Sequence, residues 1–323
     1  MSDCRPSYLL VMYSFSLFWK IYHLETLTRF QSGMIALVLC YMVNFICPAT
    51  YSLVSLVVPL CMCIHTLQHE SNPSVSELLV FMLMTVVFIG VSMSICLHRY
   101  FSHNAFETSR PMQFILGLVS CFAYQGDPLW WAVMHFRHHK YCDIAPQAPC
   151  GIKDPLGGSA LWASDPHSVS HSGVYYAFIG WIIDPLNYDL KTEDYSCLAP
   201  GLMVPELRML ARLHMLPPLT ACLLASNYLQ NSTVLFTLLL PMVTCRIITL
   251  LFNVEYHPTN TPQGQNNICK AVDNNRFLAQ LVGESKHKDH HAHPRRARRP
   301  DWDLPYLLVL RPLELVGCIW NLK

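Results

Sequence analysis

From Phe30 to Gln68 the chain holds no Asp, Glu, Lys or Arg. A helix needs roughly 20 apolar residues to cross a hydrocarbon core, so this stretch is long enough for nearly two crossings. Pro48 and Pro59 interrupt it, since proline lacks the backbone donor and kinks a helix. The pattern predicts a span at about 48–67, preceded by an interfacial helix near 33–47 in an N-terminal segment 1–47. The run LLVFMLMTVVFIGVSMSICL predicts a second span at about 77–97. Two later apolar runs, 113–124 and 173–183, are too short to cross and predict interfacial or re-entrant helices. Between Arg212 and Arg246 charge is again absent, with Asn227 and Asn231 near the middle. That predicts a hairpin of two spans, about 209–226 and 232–252, with Arg246 near the aqueous face.

Four spans make an all-α membrane protein, in which segments 98–208 and 253–310 form a helical cap and 311–323 a tail. No span separates residue 98 from 139, two separate 139 from 257, and none follows 257. Polar clusters near 98–103, 135–139 and 253–291 therefore share one membrane face.

Composition agrees with this picture. Hydrophobic residues are 52% of the 323, and charged residues 13%, about half the usual share. So little charge cannot cover two soluble domains. A net charge of +1 gives no electrostatic reason for a nucleic-acid partner. Lys286, Lys288, Arg295, Arg296, Arg298 and Arg299 crowd together, and are expected as a solvated basic segment at a cytosolic membrane edge. The fourteen cysteines are scattered, many in apolar runs: Cys40, Cys47, Cys61, Cys63, Cys96, Cys121, Cys222 and Cys245. They read as small buried hydrophobes rather than a disulfide framework. Lys20, His23, Glu25 and Arg29 follow the first apolar residues without a small-residue cleavage site, so no cleaved signal is expected.

Nine of the sixteen histidines fall in a pattern. HRYFSH supplies His98 and His103, HFRHH supplies His135, His138 and His139, and HKDHH supplies His287, His290 and His291. His257 stands four residues after Asn253 in NVEYH. Residues three and four apart share a helix face, so each HxxHH is expected to aim its rings at one point, as are Asn253 and His257. Imidazole suits iron, copper, zinc and nickel. So many converging rings exceed the needs of one ion and imply two metals. A metal transporter fits less well, because the histidines sit outside the spans.

The arrangement HRYFSH, HFRHH, HKDHH resembles the three histidine boxes of membrane fatty-acyl desaturases, the acyl-CoA (stearoyl-type, Δ9) group above all. SHNAFETSR, GDPLWW, DPHS at 165–168, NxxxH at 253–257 and GESKHKDHHAHP extend the similarity over about residues 50–310. The resemblance implies four spans under a cytosolic cap enclosing a di-iron site. It also implies two Fe2+ ions held by His98, His103, His135, His138, His139, His257, His287, His290 and His291, with Asn253 reaching iron through water. The activity implied is insertion of a cis double bond into an acyl chain with O2 and two electrons, in the endoplasmic reticulum membrane.

An unactivated methylene has no acidic proton, so the reaction needs an oxidant, and water must be kept out while it lives. A narrow apolar tunnel would do this. Trp130 and Trp131 are candidates for its wall, or else belt aromatics at the membrane interface. No His-Pro-Gly-Gly haem motif is present, so electrons are expected from a separate donor: cytochrome b5 with its reductase, or a ferredoxin. The substrate is a fatty acyl-CoA or a lipid-linked acyl chain. A di-iron hydroxylase, an acyl-lipid desaturase and a non-catalytic metal-binding scaffold stay open as other readings. Three departures bear on substrate class rather than on the metals. Lys288 and Asp289 replace the family's usual asparagines, some twenty extra residues including KDPLGG occupy 144–164, and Ala177 and Phe178 replace a serine–histidine pair. Asp289 is expected either to hold a ligand ring or to alter donor docking, and His167 to play a supporting role.

Overall fold

The computed structural model describes residues 29–44, 48–69, 72–145, 164–190, 192–259 and 269–323. Most of the insertion at 144–164 and most of the N-terminal segment lie outside these residues. What is described is helical, apart from an antiparallel pair that sets Glu107 opposite Trp320 and Thr108 opposite Ile319. The chain divides into two compact units: 1–85, 182–188 and 215–244 in the first, 86–181, 189–214 and 245–323 in the second.

In the first unit the helices Arg29–Asn44 and Pro48–His69 pack on each other, with Gly33 so close to Met62 that a β-carbon would force the methionine side chain aside. Pro59 sits inside the second helix without ending it. Helix Val75–Val87 starts from a reciprocal cap. The Ser74 amide donates to Glu77 and the Glu77 amide to the Ser74 hydroxyl, satisfying donors that the first turn leaves free. Glu77 also accepts from the Thr233 hydroxyl at 2.6 Å.

Among the described residues two continuous helices are long and apolar enough to cross a membrane, Val75–Ser102 and Asn231–Glu255. They contain the spans expected at 77–97 and 232–252. The segment 52–68 is a shorter apolar helix. The expected span at 209–226 is not one helix. Pro205–Arg212 ends in a turn, and a new helix, Leu216–Ala225, starts with proline in its first turn, where the missing donor costs nothing. Arg246, expected near water, is buried.

The second unit is built around residues 88–102, which continue the first long helix with π-type turns. Arg110–Ser120 and Pro128–Lys140 pack against this segment. A β-carbon at Gly117 would come within 3.0 Å of Leu207 and Leu210, so a larger residue there would displace those side chains.

Candidate metal centre

Three local structures aim the histidines. In a π-type turn the amide bonds five residues back, and the His103 amide does donate to the His98 carbonyl, at 3.2 Å. This brings two rings five apart in sequence to one side. Helix Pro128–Lys140 is capped by Asp127, whose carboxylate accepts from the Leu129 amide at 2.8 Å, with Pro128 in the first turn. It carries His135, His138 and His139. The short helix His287–Ala292 carries His287, His290 and His291.

The nine rings gather into two sets, not one per box. His98, His103, His135, His139 and His290 form the first, and His138, His257, His287 and His291 the second. The expectation that each HxxHH aims at one point is therefore corrected. Residues four apart stay together, while the ring three residues after the first, His138 or His290, goes to the opposite set. Helix Pro128–Lys140 gives two rings to the first set and one to the second, and His287–Ala292 does the reverse.

Within the sets, Nε2 atoms face each other closely: His98 and His290 at 2.8 Å, His139 and His290 at 2.9 Å, His103 and His135 at 3.0 Å. His287 meets His291 at 3.0 Å and His257 at 3.1 Å. Two nitrogens each about 2.1 Å from one ion and at right angles to it lie about 3.0 Å apart. The donor sets therefore fit metal ions.

Outer carboxylates fix the rings. Nδ1 of His98 donates to Glu284 at 3.0 Å, that of His138 to Asp165 at 3.1 Å, and that of His257 to Asp143 at 3.2 Å. With the proton held on Nδ1, each Nε2 turns a lone pair inward, as a metal requires. Burial first, and the neighbouring rings second, push the His135, His139 and His287 imidazoles well below their usual pKa, favouring the neutral form that binds metal. For His290 burial comes first and the Arg299 guanidinium second. Burial works upward on Glu284 and Asp165. The facing His98 and His138 outweigh it, holding Glu284 at about 2 and Asp165 well below the carboxylate range.

A small cavity of about 50 Å³ reaches both sets. Its wall includes Met93, Trp131, Phe252 and Tyr256 beside His98, His138 and His287. Asn253 lines it too, and its amide donates to the Ala177 carbonyl at 3.4 Å. The two candidate tryptophans part company. Trp131 stacks on His135 and lines the cavity, whereas Trp130 stacks on Trp181. An outer cleft of about 460 Å³ exposes the other side of His103, His139 and His291, with Lys140 and Arg295 on its wall.

Sequence reasoning missed the three carboxylates, although Glu284 and Asp165 sit inside the quoted GESKHKDHHAHP and DPHS. His167 was expected in a supporting role. That ring stacks on His138 at 4.5 Å, lies 3.8 Å from Asp165, and faces the cavity. Burial, then His138, push it down to about 3. Asp289 holds no ligand ring; its carboxylate accepts from Arg296 at 2.7 Å. Nor is the basic segment wholly solvated, since Arg299 is buried. Cys96, Cys121, Cys222 and Cys245 are buried thiols as expected, but Cys61 is exposed, Cys63 is half-buried, and Cys142 and Cys269 form a disulfide.

Fold and site together define a helical protein with two imidazole sets able to hold metal. The chain belongs to the fatty acid desaturase family, whose model matches residues 76–313. It is 24% identical over 269 residues to a Schizosaccharomyces pombe protein described as a probable acyl-CoA desaturase, covering 78% of this chain and 50% of that one. It is 25% identical over 244 residues to a chloroplastic Arabidopsis thaliana protein described as a probable lipid desaturase, covering 74% and 62%. A hex-5-enoyl-[acyl-carrier protein] acetylenase of Moorena producens is 34% identical over 113 residues, covering 35% and 32%. The chain thus spans between about a third and three fifths of these relatives' lengths.

Proposed function

We propose that the chain is a membrane acyl desaturase that removes two hydrogens from neighbouring methylenes of a fatty-acyl chain, leaving a cis double bond. The observation that carries this reading is one small cavity on which both histidine sets and the side chains of Met93, Trp131 and Phe252 converge. In this reading both positions take iron. His98, His103, His135, His139 and His290 hold one ion, and His138, His257, His287 and His291 the other, with Asn253 acting on it through water. Bound there, the iron pair supplies the oxidising power, drawn from O2 and two electrons, with water as co-product.

The chain's own residues do the rest. Glu284, Asp165 and Asp143 keep the inner nitrogens unprotonated. Met93, Trp131 and Phe252 exclude water and hold the acyl chain, whose depth of entry sets the carbon that reacts. Leu79, Met82 and Leu83 are exposed on Val75–Val87, which supports a lipid-facing surface. The reading sets the protein in the endoplasmic reticulum membrane with four spans and the histidines on the cytosolic side. The substrate is acyl-CoA and the position Δ9, while the relatives' names extend the carrier to lipid-linked and carrier-protein-linked chains. Electrons come from a separate donor, cytochrome b5 with its reductase or a ferredoxin. The outer cleft, with Lys140 and Arg295, suits an acidic partner.

Expression in yeast lacking its own Δ9 desaturase, with total fatty acids profiled by mass spectrometry, tests the reading. The expected result is a new monoene that disappears in His138→Ala and His290→Ala. A folded, iron-loaded protein that makes no new double bond on any of the three carriers overturns it.

A further inference from the structure

Cys142 and Cys269 stand 127 residues apart in sequence and are joined, with Cα atoms 5.1 Å apart. Cys142 follows the helix that carries HFRHH, and Cys269 precedes Lys270. The sulfurs lie against outer nitrogens of the four-histidine set. Cys142 Sγ is 3.7 Å from His257 Nδ1, and Cys269 Sγ is 3.5 Å from His291 Nδ1. The same cross-link holds a carboxylate in place. Asp143, next to Cys142, accepts from His257 Nδ1 at 3.2 Å and from the amide of Lys270, next to Cys269, at 2.8 Å. Two of the four rings therefore depend on this junction. The five-histidine set takes its carboxylate from Glu284 instead.

We infer that Cys142 and Cys269 form a redox switch for metal retention at the four-histidine position. The inference rests on the metal reading above. A disulfide in a reducing compartment is rare and usually transient, catalytic or redox-sensing, and the proposed topology puts this one on the cytosolic side. Cys269 is partly exposed and Cys142 nearly covered, so the attack of a cellular dithiol falls on Cys269. The S–S bond breaks, and both cysteines end as thiols, taking up two electrons and two protons. The reductant gives up the same two electrons and two protons and closes its own disulfide. Without the tether the Lys270 amide and Asp143 are no longer held together, and the His257 and His291 rings lose their fixed aim. Losing outer partners of this kind weakens metal binding about 10- to 100-fold.

The test uses the full chain loaded with iron in detergent, with and without treatment by a thioredoxin-type dithiol protein. Differential alkylation and mass spectrometry read the two cysteines, and iron retained against a graded chelator reads the sites. In the oxidised protein both cysteines are expected to resist alkylation. After reduction both are labelled, and half of the iron is lost at about 10- to 100-fold lower chelator. Retention of the other half shows that the fold is intact. The Cys142→Ser/Cys269→Ser variant should behave as reduced under both conditions. Cysteines labelled without reductant, a bond the dithiol cannot reduce, or iron held equally or more tightly after reduction overturns the switch. A protein that holds no iron in either state overturns the metal reading itself, and the switch with it.

Discussion

Glu284 is placed to govern a candidate metal position through the ring it holds, His98. It is buried, accepts from His98 Nδ1 and from the Ser94 hydroxyl, and is held ionised at about 2 against the upward pull of burial. Glu284→Gln keeps the shape but removes the charge, and its amide group can donate as readily as accept. The His98 proton is then free to sit on Nε2, facing His290. Such a loss costs about 10- to 100-fold in metal affinity. Iron titration of the variant should show that drop at one of the two sites, while Glu284→Asp, which keeps the charge, loses less. Unchanged affinity in Glu284→Gln would mean that the carboxylate only fills space.

At the scale of elements, the boxes are held by contacts beyond the histidines. Arg99, next to His98, makes a fully buried two-pronged pair with Asp303 at 2.8 and 3.0 Å, and also donates to the Ala297 carbonyl at 2.7 Å. This ties the π-type turn of the first box to the chain that follows the third. Arg99→Met strands a buried carboxylate and should lower stability by about 3–5 kcal/mol. The double change Arg99→Met/Asp303→Leu removes both charges and should lose less; thermal unfolding in detergent compares them. Nothing in the sequence singles out Asp303 as that partner, because 204 residues separate the two. The histidines were legible because the three-and-four spacing of HFRHH returns in HKDHH, beside the pair five apart in HRYFSH and the Asn–His pair four apart in NVEYH. Their division between two sets was not, since a spacing shows which rings share a face but not where a second helix puts its own. The π-type turns were also hidden. The residues of 88–102 read equally well as α-helix, and only packing decides. The break at 213–215 could have been found, because Pro217 and Pro218 mark a new helix start inside the expected span.

For the whole molecule, the neutral imidazoles set a pH limit. In the unfolded chain they take up protons near pH 6.5, whereas burial holds His135, His139, His287 and His290 neutral to far lower pH in the fold. Between those values the unfolded state binds more protons, so stability rises with pH there. The lowered carboxylates, Glu284 and Asp165, act in the same direction at more acid pH. The melting temperature of the metal-free protein should be level above about pH 7 and fall steadily below about pH 6.5. Metal should raise it at neutral pH, and that gain should vanish on acidification as protons compete for the rings. Melting followed from pH 8 to pH 5, with and without iron, checks both statements. A midpoint that does not move across that range contradicts them.

The exchange of rings between two helices has a consequence for how such a protein can diversify. Each helix serves both positions, so the interval between them is set by the angle from one residue to the next within a turn. Connecting loops have no part in it. On the proposed reading, lengthening the stretch at 144–164, or recasting the outer cleft, can alter what is admitted and who delivers electrons while the distance between the two histidine sets stays as it was. Shifting HFRHH or HKDHH by a single residue would disturb both centres at once. Substrate choice is therefore free to drift on this scaffold, and the ruler inside it is not.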